Sequence, residues 1–283
     1  MAHFDKARAA LDTIGASSAN PVAVASLETN FGATLAKAGA CGLAIPHYEH
    51  ALEVAIGTLG EDNGEVTVML SNVGLCYMHL GELAKSHDAL ARALALREKL
   101  FGARSPLLIA ALDNYAELLA EQGDYDTAFP MFERARSLGA ISPGTAHPNY
   151  HQILTDYAQA EIRAGKTADA HRLLDEAVAL EKRTSSNILP ASQTAAARLA
   201  LAEHKWPDAE TLATAAIAGF EAQGGNDQPE LWLPLTYLAQ AKLARNDAAG
   251  ARELVDRALA IAAKAHIPDH DLAPTRELAA KLH

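Results

Sequence analysis

Aromatic residues are scarce in this chain, at 5% of 283 positions, so a core built mainly on ring packing is not available. Cysteine is scarcer still. Cys41 and Cys76 are the two present, too few for a disulfide scaffold and without metal-ligand spacing. They read as reduced structural thiols. Basic charge is also in deficit: 24 Lys and Arg against 35 Asp and Glu leave a formal charge of −11. That argues against broad nucleic-acid binding, which needs a basic surface to displace counterions. It also disfavours docking on anionic membranes. No stretch approaches the ~20 apolar residues of a membrane span. The opening segment, MAHFDKARAALDTIG, has Asp5 and Lys6 where a signal peptide needs an apolar run. A cytoplasmic location is therefore expected, although a fragment of a longer chain would read the same.

Signatures of chemistry are missing as well. The chain has no Gly-rich phosphate loop, nucleophile elbow, HExxH or EF-hand pattern. Carboxylates are plentiful, but none form a pair placed for acid–base work. His47 and His50 lie three apart on a predicted helix, which could orient two metal ligands, yet the sequence offers no third. His147/His151 and His266/His270 sit at junctions beside Pro148 and Pro268. The expectation is no catalytic residue, no bound metal and no cofactor.

What is present is alanine, apolar residues at 49%, and repetition. The stretch Asp113–Arg136 reads as two amphipathic helices joined by a turn at Gly123, with Ala116, Ala128, Phe132 and Ala135 as its markers. Ser86, Leu90 and Ala93 stand 42 residues before the last three, and Ala170, Leu174 and Ala177 stand 42 after them. A fixed period of this length marks a stacked array, in which no single unit can bury its own apolar faces. Two flanking pairs turn at Gly39 and Asn246; a fifth pair, with His204 at the turn, follows a junction three residues shorter than the others. Asn20-Pro21 and Ser105-Pro106 read as helix caps followed by a first helical proline.

The small residue, turn Gly, Ala, large residue and Ala of Ala116, Gly123, Ala128, Phe132 and Ala135 resemble the tetratricopeptide repeat. The period and junctions such as LGEDNGEV resemble its kinesin light chain type. The resemblance implies an all-α fold, a right-handed α-solenoid of about six helix-turn-helix repeats with flanking capping helices. The expected layout is one superhelical domain over 1–283: an N-terminal helix (3–14) and loop to residue 20, six repeats over 21–265, and a capping helix in 269–283. It further implies that the first helix of each pair lines a concave groove holding a peptide.

In such repeats the sites three and two residues before the small first-helix residue often face that groove. Here they include Thr29/Asn30, Ser71/Asn72, Asp113/Asn114, Thr155/Asp156, Thr194/Ala195 and Thr236/Tyr237. Asn30, Asn72 and Asn114 recur at one register. An amide side chain both donates and accepts, so it can clasp a peptide backbone whatever the ligand's side chains. Helices pack ~8–10 Å apart and an extended peptide rises ~3.3 Å per residue, so one Asn per repeat would meet about every third residue. Further candidates are Glu117, Glu121, Gln159, Arg163 and Arg198. Asp113, Glu117, Glu121 and Asp156 would give an acidic floor, and Arg163 with Arg198 a basic end.

The reading that follows is a non-enzymatic interaction scaffold for a protein or peptide, with no nucleic acid or membrane partner and self-association left open. The alternative is the sensor or regulatory module of a larger signalling or quorum-sensing-type protein.

Overall fold

The computed structural model describes residues 20–144, 148–184 and 189–282. The helix expected over residues 3–14 lies outside them. All regular structure among the described residues is helical. Six successive pairs are α1 (Pro21–Lys37) with α2 (Cys41–Leu59), α3 (Gly64–His79) with α4 (Leu83–Phe101), α5 (Ile109–Glu121) with α6 (Tyr125–Gly139), α7 (Pro148–Arg163) with α8 (Thr167–Thr184), α9 (Leu189–Ala202) with α10 (Trp206–Gly224), and α11 (Trp232–Ala244) with α12 (Ala248–Ala265). A terminal helix, α13 (Ala273–Leu282), follows. The chain forms two compact units, one ending at Leu118 and the other beginning at Leu119, with the division inside α5.

The turn within each pair is the same device repeated six times. A residue at left-handed φ closes the first helix: Gly39, Gly81, Gly123 and Gly165 at 74–81°, His204 at 60° and Asn246 at 65°. The amide after it reaches back to a carbonyl in the last turn, as Ala40 N–H to Leu35, Glu82 N–H to Tyr77, Asp124 N–H to Leu119, Lys166 N–H to Glu161, Lys205 N–H to Ala200, and Asp247 N–H to Lys242, all at 2.8–2.9 Å. These bonds satisfy carbonyls that a helix end leaves bare. His204 and Asn246 stand in for glycine at the fifth and sixth turns; Asn tolerates this conformation well, and the His204 ring packs edge-on against Trp206.

Helix starts follow the sequence signals. Asn20 accepts from Val22 N–H at 3.0 Å ahead of Pro21. Ser105 accepts from Leu107 N–H at 3.3 Å, but Pro106–Leu108 is a 3₁₀ turn leading into α5 rather than its first α-helical residues.

The marker residues form the interior. Ala44, Ala51, Ser86, Ala93, Ala116, Ala128, Phe132, Ala135, Ala158, Ala170, Ala177, Ala197, Ala213, Ala239, Ala251 and Ala258 are all 0% exposed. Helix crossings are tight at these sites. A Cβ on Gly32 would fall 2.8 Å from Tyr48 Cε1, and one on Gly74 would fall 2.8 Å from Leu90 Cγ. In the first unit α1, α2, α3 and α4 pack in succession, and α1 also touches α3. In the second unit α7 through α13 pack in succession, and α9 touches both α7 and α11. First helices therefore lie side by side within each unit. Acidic junction residues clasp the next pair: Glu61 meets Arg92 at 3.3 Å and Asp62 meets Lys99 at 2.5 Å. Exposed pairs of this kind contribute little individually. Thr236 and Thr275 share a buried hydroxyl bond at 2.9 Å that ties α13 to α11.

Replacing Ala128 by Leu should overpack a fully enclosed site and cost ~1–3 kcal/mol. The same change at Ala218, exposed on α10, should stay within ~0.5 kcal/mol. Urea midpoints for the two variants test this, and equal midpoints would refute the packing described.

Candidate peptide-binding faces

The predicted groove register separates into two columns with different chemistry. The hydroxyl column is spent on its own helices. Thr29, Ser71, Thr155, Thr194 and Thr236 each donate to the carbonyl four residues back, at 2.8, 2.8, 3.0, 2.7 and 2.8 Å. This back-bonding uses the hydroxyl proton within the helix and eases burial of the polar group.

Asp113 holds the same place in α5 and is the exception. It is 8% exposed, and its Oδ1 has no hydrogen-bond partner among the described residues. Burial, with the neighbouring Glu117 carboxylate second, pushes its pKa up to about 8. Asp113 is thus largely protonated at neutral pH, because a buried carboxylate costs more than a buried acid. The acidic floor expected from the sequence loses that charge. Asp156, also buried, accepts from Gln152 Nε2 at 2.9 and 2.8 Å.

The amide column is different. Asn30 on α1 is exposed; Asn72 on α3 and Asn114 on α5 are half-buried. None of the three amide side chains is hydrogen-bonded to another described residue. All three belong to the first unit, together with half-buried Glu117.

In the second unit α7, α9 and α11 line a cavity of about 200 Å³. Gln152, Thr155 and Gln159 come from α7, Thr194 and Ala195 from α9, and Trp232, Leu233 and Tyr237 from α11, with Phe220 and Glu230 at the edge. Five of these, Thr155, Gln159, Thr194, Ala195 and Tyr237, stand at positions the sequence register selects. Arg163 and Arg198, half-buried, act on the Tyr237 hydroxyl, whose pKa burial raises and these two cations lower. Glu121 is exposed as a residue, yet partial burial of its carboxyl and then Asp271 push its pKa up, while Arg163 and His270 pull it down. The segment before α13 therefore comes close to the ends of α5 and α7. Two wider depressions, at Leu189–Gln223 and at Leu201–Lys281, each involve no more than one of the register residues.

Sequence reasoning missed His270, Asp271, Phe220 and Glu230 as neighbours of this face. They stand outside the repeat register, so no spacing signals them; Trp232 was legible only as core or rim. The histidine pairs also resolve. Glu28 bonds His47 Nδ1 at 2.5 Å and lies 3.5 Å from His50 Nδ1. His151 is fully buried, and His147 lies outside the described residues. Among the described residues no group of three His, Cys, Asp or Glu is arranged to hold a metal ion, and no helix is long and apolar enough to cross a membrane.

These features define a class, the helical-repeat solenoids with first helices presented on one face of each unit. The tetratricopeptide-repeat model matches residues 23–99, 65–138 and 108–183, more than half of the chain. The chain belongs to the tetratricopeptide-repeat family. Among solved structures it is similar to a putative kinesin light chain with nearly identical repeats from Podosopora anserina, at 17% identity and TM-score 0.52, covering 87% of this chain and 97% of that one. It is similar to a Rap protein complexed with competence and sporulation factor, at 16% identity and TM-score 0.67, covering 94% and 79%. It is also similar to aspartyl phosphate phosphatase F from Bacillus subtilis, at 15% identity and TM-score 0.70, covering 91% and 63%. At these identities the likeness concerns fold. No curated protein matches the chain by sequence.

The raised pKa of Asp113 fixes a sign. Its folded form binds a proton more tightly than the unfolded chain, so it favours folding at low pH, and that contribution is lost as pH rises from about 4 to about 8. The slope from this one group is at most ~1.4 kcal/mol per pH unit. Asp113→Thr, which restores the back-bonding hydroxyl, should flatten the stability profile over that window. Chemical denaturation at a series of pH values checks it; an unchanged slope would place the titration elsewhere.

Proposed function

We propose that this protein is a non-enzymatic scaffold that binds a peptide or protein segment along its first-helix faces. The observation that carries this reading is the column Asn30, Asn72 and Asn114: three uncommitted amides, one per repeat, beside a column of hydroxyls that are all spoken for. Asn is a poor interior helix residue, so three at one register have a cost that ligand binding would offset. Their grip falls on the ligand's backbone and asks little of its sequence. In the second unit, Gln152, Gln159, Trp232 and Tyr237 offer polar and aromatic contacts to a side chain, and Arg163 and Arg198 favour an acidic segment. The Rap structure with its bound factor supports this reading through a shared fold.

A second reading, a sensor or regulatory module of a larger signalling protein, draws on the Bacillus phosphatase, of which the chain covers 63%. Mapping the ends of the native transcript distinguishes the two: a reading frame that continues into an effector domain favours the second.

Affinity capture with the wild-type chain and with the Asn30→Ala, Asn72→Ala, Asn114→Ala triple variant, followed by mass spectrometry, tests the first reading. The wild type should retain a partner that the triple variant loses by about tenfold or more, since each amide contact is worth ~1 kcal/mol. The thermal midpoint should change little, because none of the three side chains has a described partner to lose. Equal capture by the two proteins would sink the proposal.

A further inference from the structure

Cys41 and Cys76 are 35 residues apart in sequence, and nothing in their spacing pairs them. The fold brings their Sγ atoms to 2.8 Å. Cys41 is the first residue of α2 and Cys76 lies in the last turn of α3. Both thiols are free and buried, at 6% and 2% exposure. Leu35, Ala44, Tyr48, Val73 and Ala89 wall them in. A covalent S–S bond needs about 2.05 Å, so closure requires a movement of under about 1 Å.

We propose that Cys41 and Cys76 form a reversible oxidative modification site, a disulfide that clasps the second helix of the first repeat to the first helix of the second. The two sulfurs have different roles. Cys41 stands at a helix N-terminus, where the backbone amides favour a thiolate. The Cys76 thiol donates its hydrogen bond to Cys41, which lowers the Cys41 pKa and, together with burial, raises that of Cys76. Cys41 is thus the attacking sulfur and Cys76 the resolving one.

The pair is enclosed, so a small peroxide suits it better than a bulky disulfide. The Cys41 thiolate attacks one oxygen of hydrogen peroxide; the O–O bond breaks and hydroxide leaves, taking a proton to become water. Cys41 is left as a sulfenic acid. Cys76 Sγ then attacks Cys41 Sγ; the S–O bond breaks, and the departing hydroxide takes the Cys76 proton. Two thiols and one peroxide become one disulfide and two waters. A thiol reductant reverses the step.

The test uses the full chain, reduced and then titrated with hydrogen peroxide, with intact mass and a non-reducing peptide map as readouts. The expected result is a loss of two hydrogens, a cross-linked peptide pair holding Cys41 and Cys76, and a thermal midpoint higher by roughly 3–7 °C. Dithiothreitol should undo all three. In Cys76→Ser, Cys41 should stop at a sulfenic acid that dimedone traps when the oxidised chain is unfolded in its presence. Cross-links between chains, sulfinic acid on either cysteine in place of the disulfide, or two intact thiols at peroxide levels that oxidise the methionines would each overturn the proposal.

Discussion

The structure depends on one steric constraint: the absence of side-chain bulk where helices cross. Alanine at these sites is buried to 0% in pair after pair, and glycine takes the place in the first two repeats. Close approach is what lets one large residue, Tyr48, Leu90, Phe132 or Leu174, fill the remaining space. A chain so poor in aromatic residues can still build a dense interior, because close crossings let Tyr48 lie against Gly32 and Leu90 against Gly74. Each pair leaves apolar surface that its neighbours cover, as expected of a stacked array.

The same closeness governs the polar groups. A hydroxyl on a helix face packed against another helix must find a partner within its own turn, and the Thr and Ser column does so five times. An aspartate cannot donate while ionised. At position 113 the fold therefore selects the protonated acid, and the residue changes from a groove charge to a buried neutral group. One residue further on, Asn30 is exposed and Asn72 and Asn114 are half-buried, whereas Asp156, Ala195 and Tyr237 in the later repeats are buried. On the first three first helices a packed position thus alternates with one whose amide has no partner among the described residues.

Much of this was legible in the sequence because it is local and periodic. Left-handed turns at Gly39, Gly81, Gly123 and Gly165, the Asn20 cap and the small crossing residues all recur at readable spacings. Even His204 and Asn246 were located by the period rather than by their own chemistry. What escaped is non-local. Glu28 meeting His47, Cys41 meeting Cys76, and the 270–271 segment nearing Glu121 arise from how pairs stack, which no window of sequence encodes. The ionisation of Asp113 escaped for a related reason. Its type and register suggested an exposed acid, whereas its state is set by burial that neighbouring helices impose.

Stacking also decides how a ligand would act. In a quasi-one-dimensional array each pair is stabilised by its neighbours. A peptide that touches successive first helices adds its binding energy to the contacts between them, so occupancy stiffens the unit it occupies. Backbone-directed amides would give such a ligand affinity without much selectivity. Selectivity would then have to come from side-chain contacts, and the second unit holds the more varied set: two glutamines, Trp232 and Tyr237 around a space of about 200 Å³. Repeats that grip and repeats that discriminate would then be different repeats, carried by one period and distinguished by the side chains their first helices present.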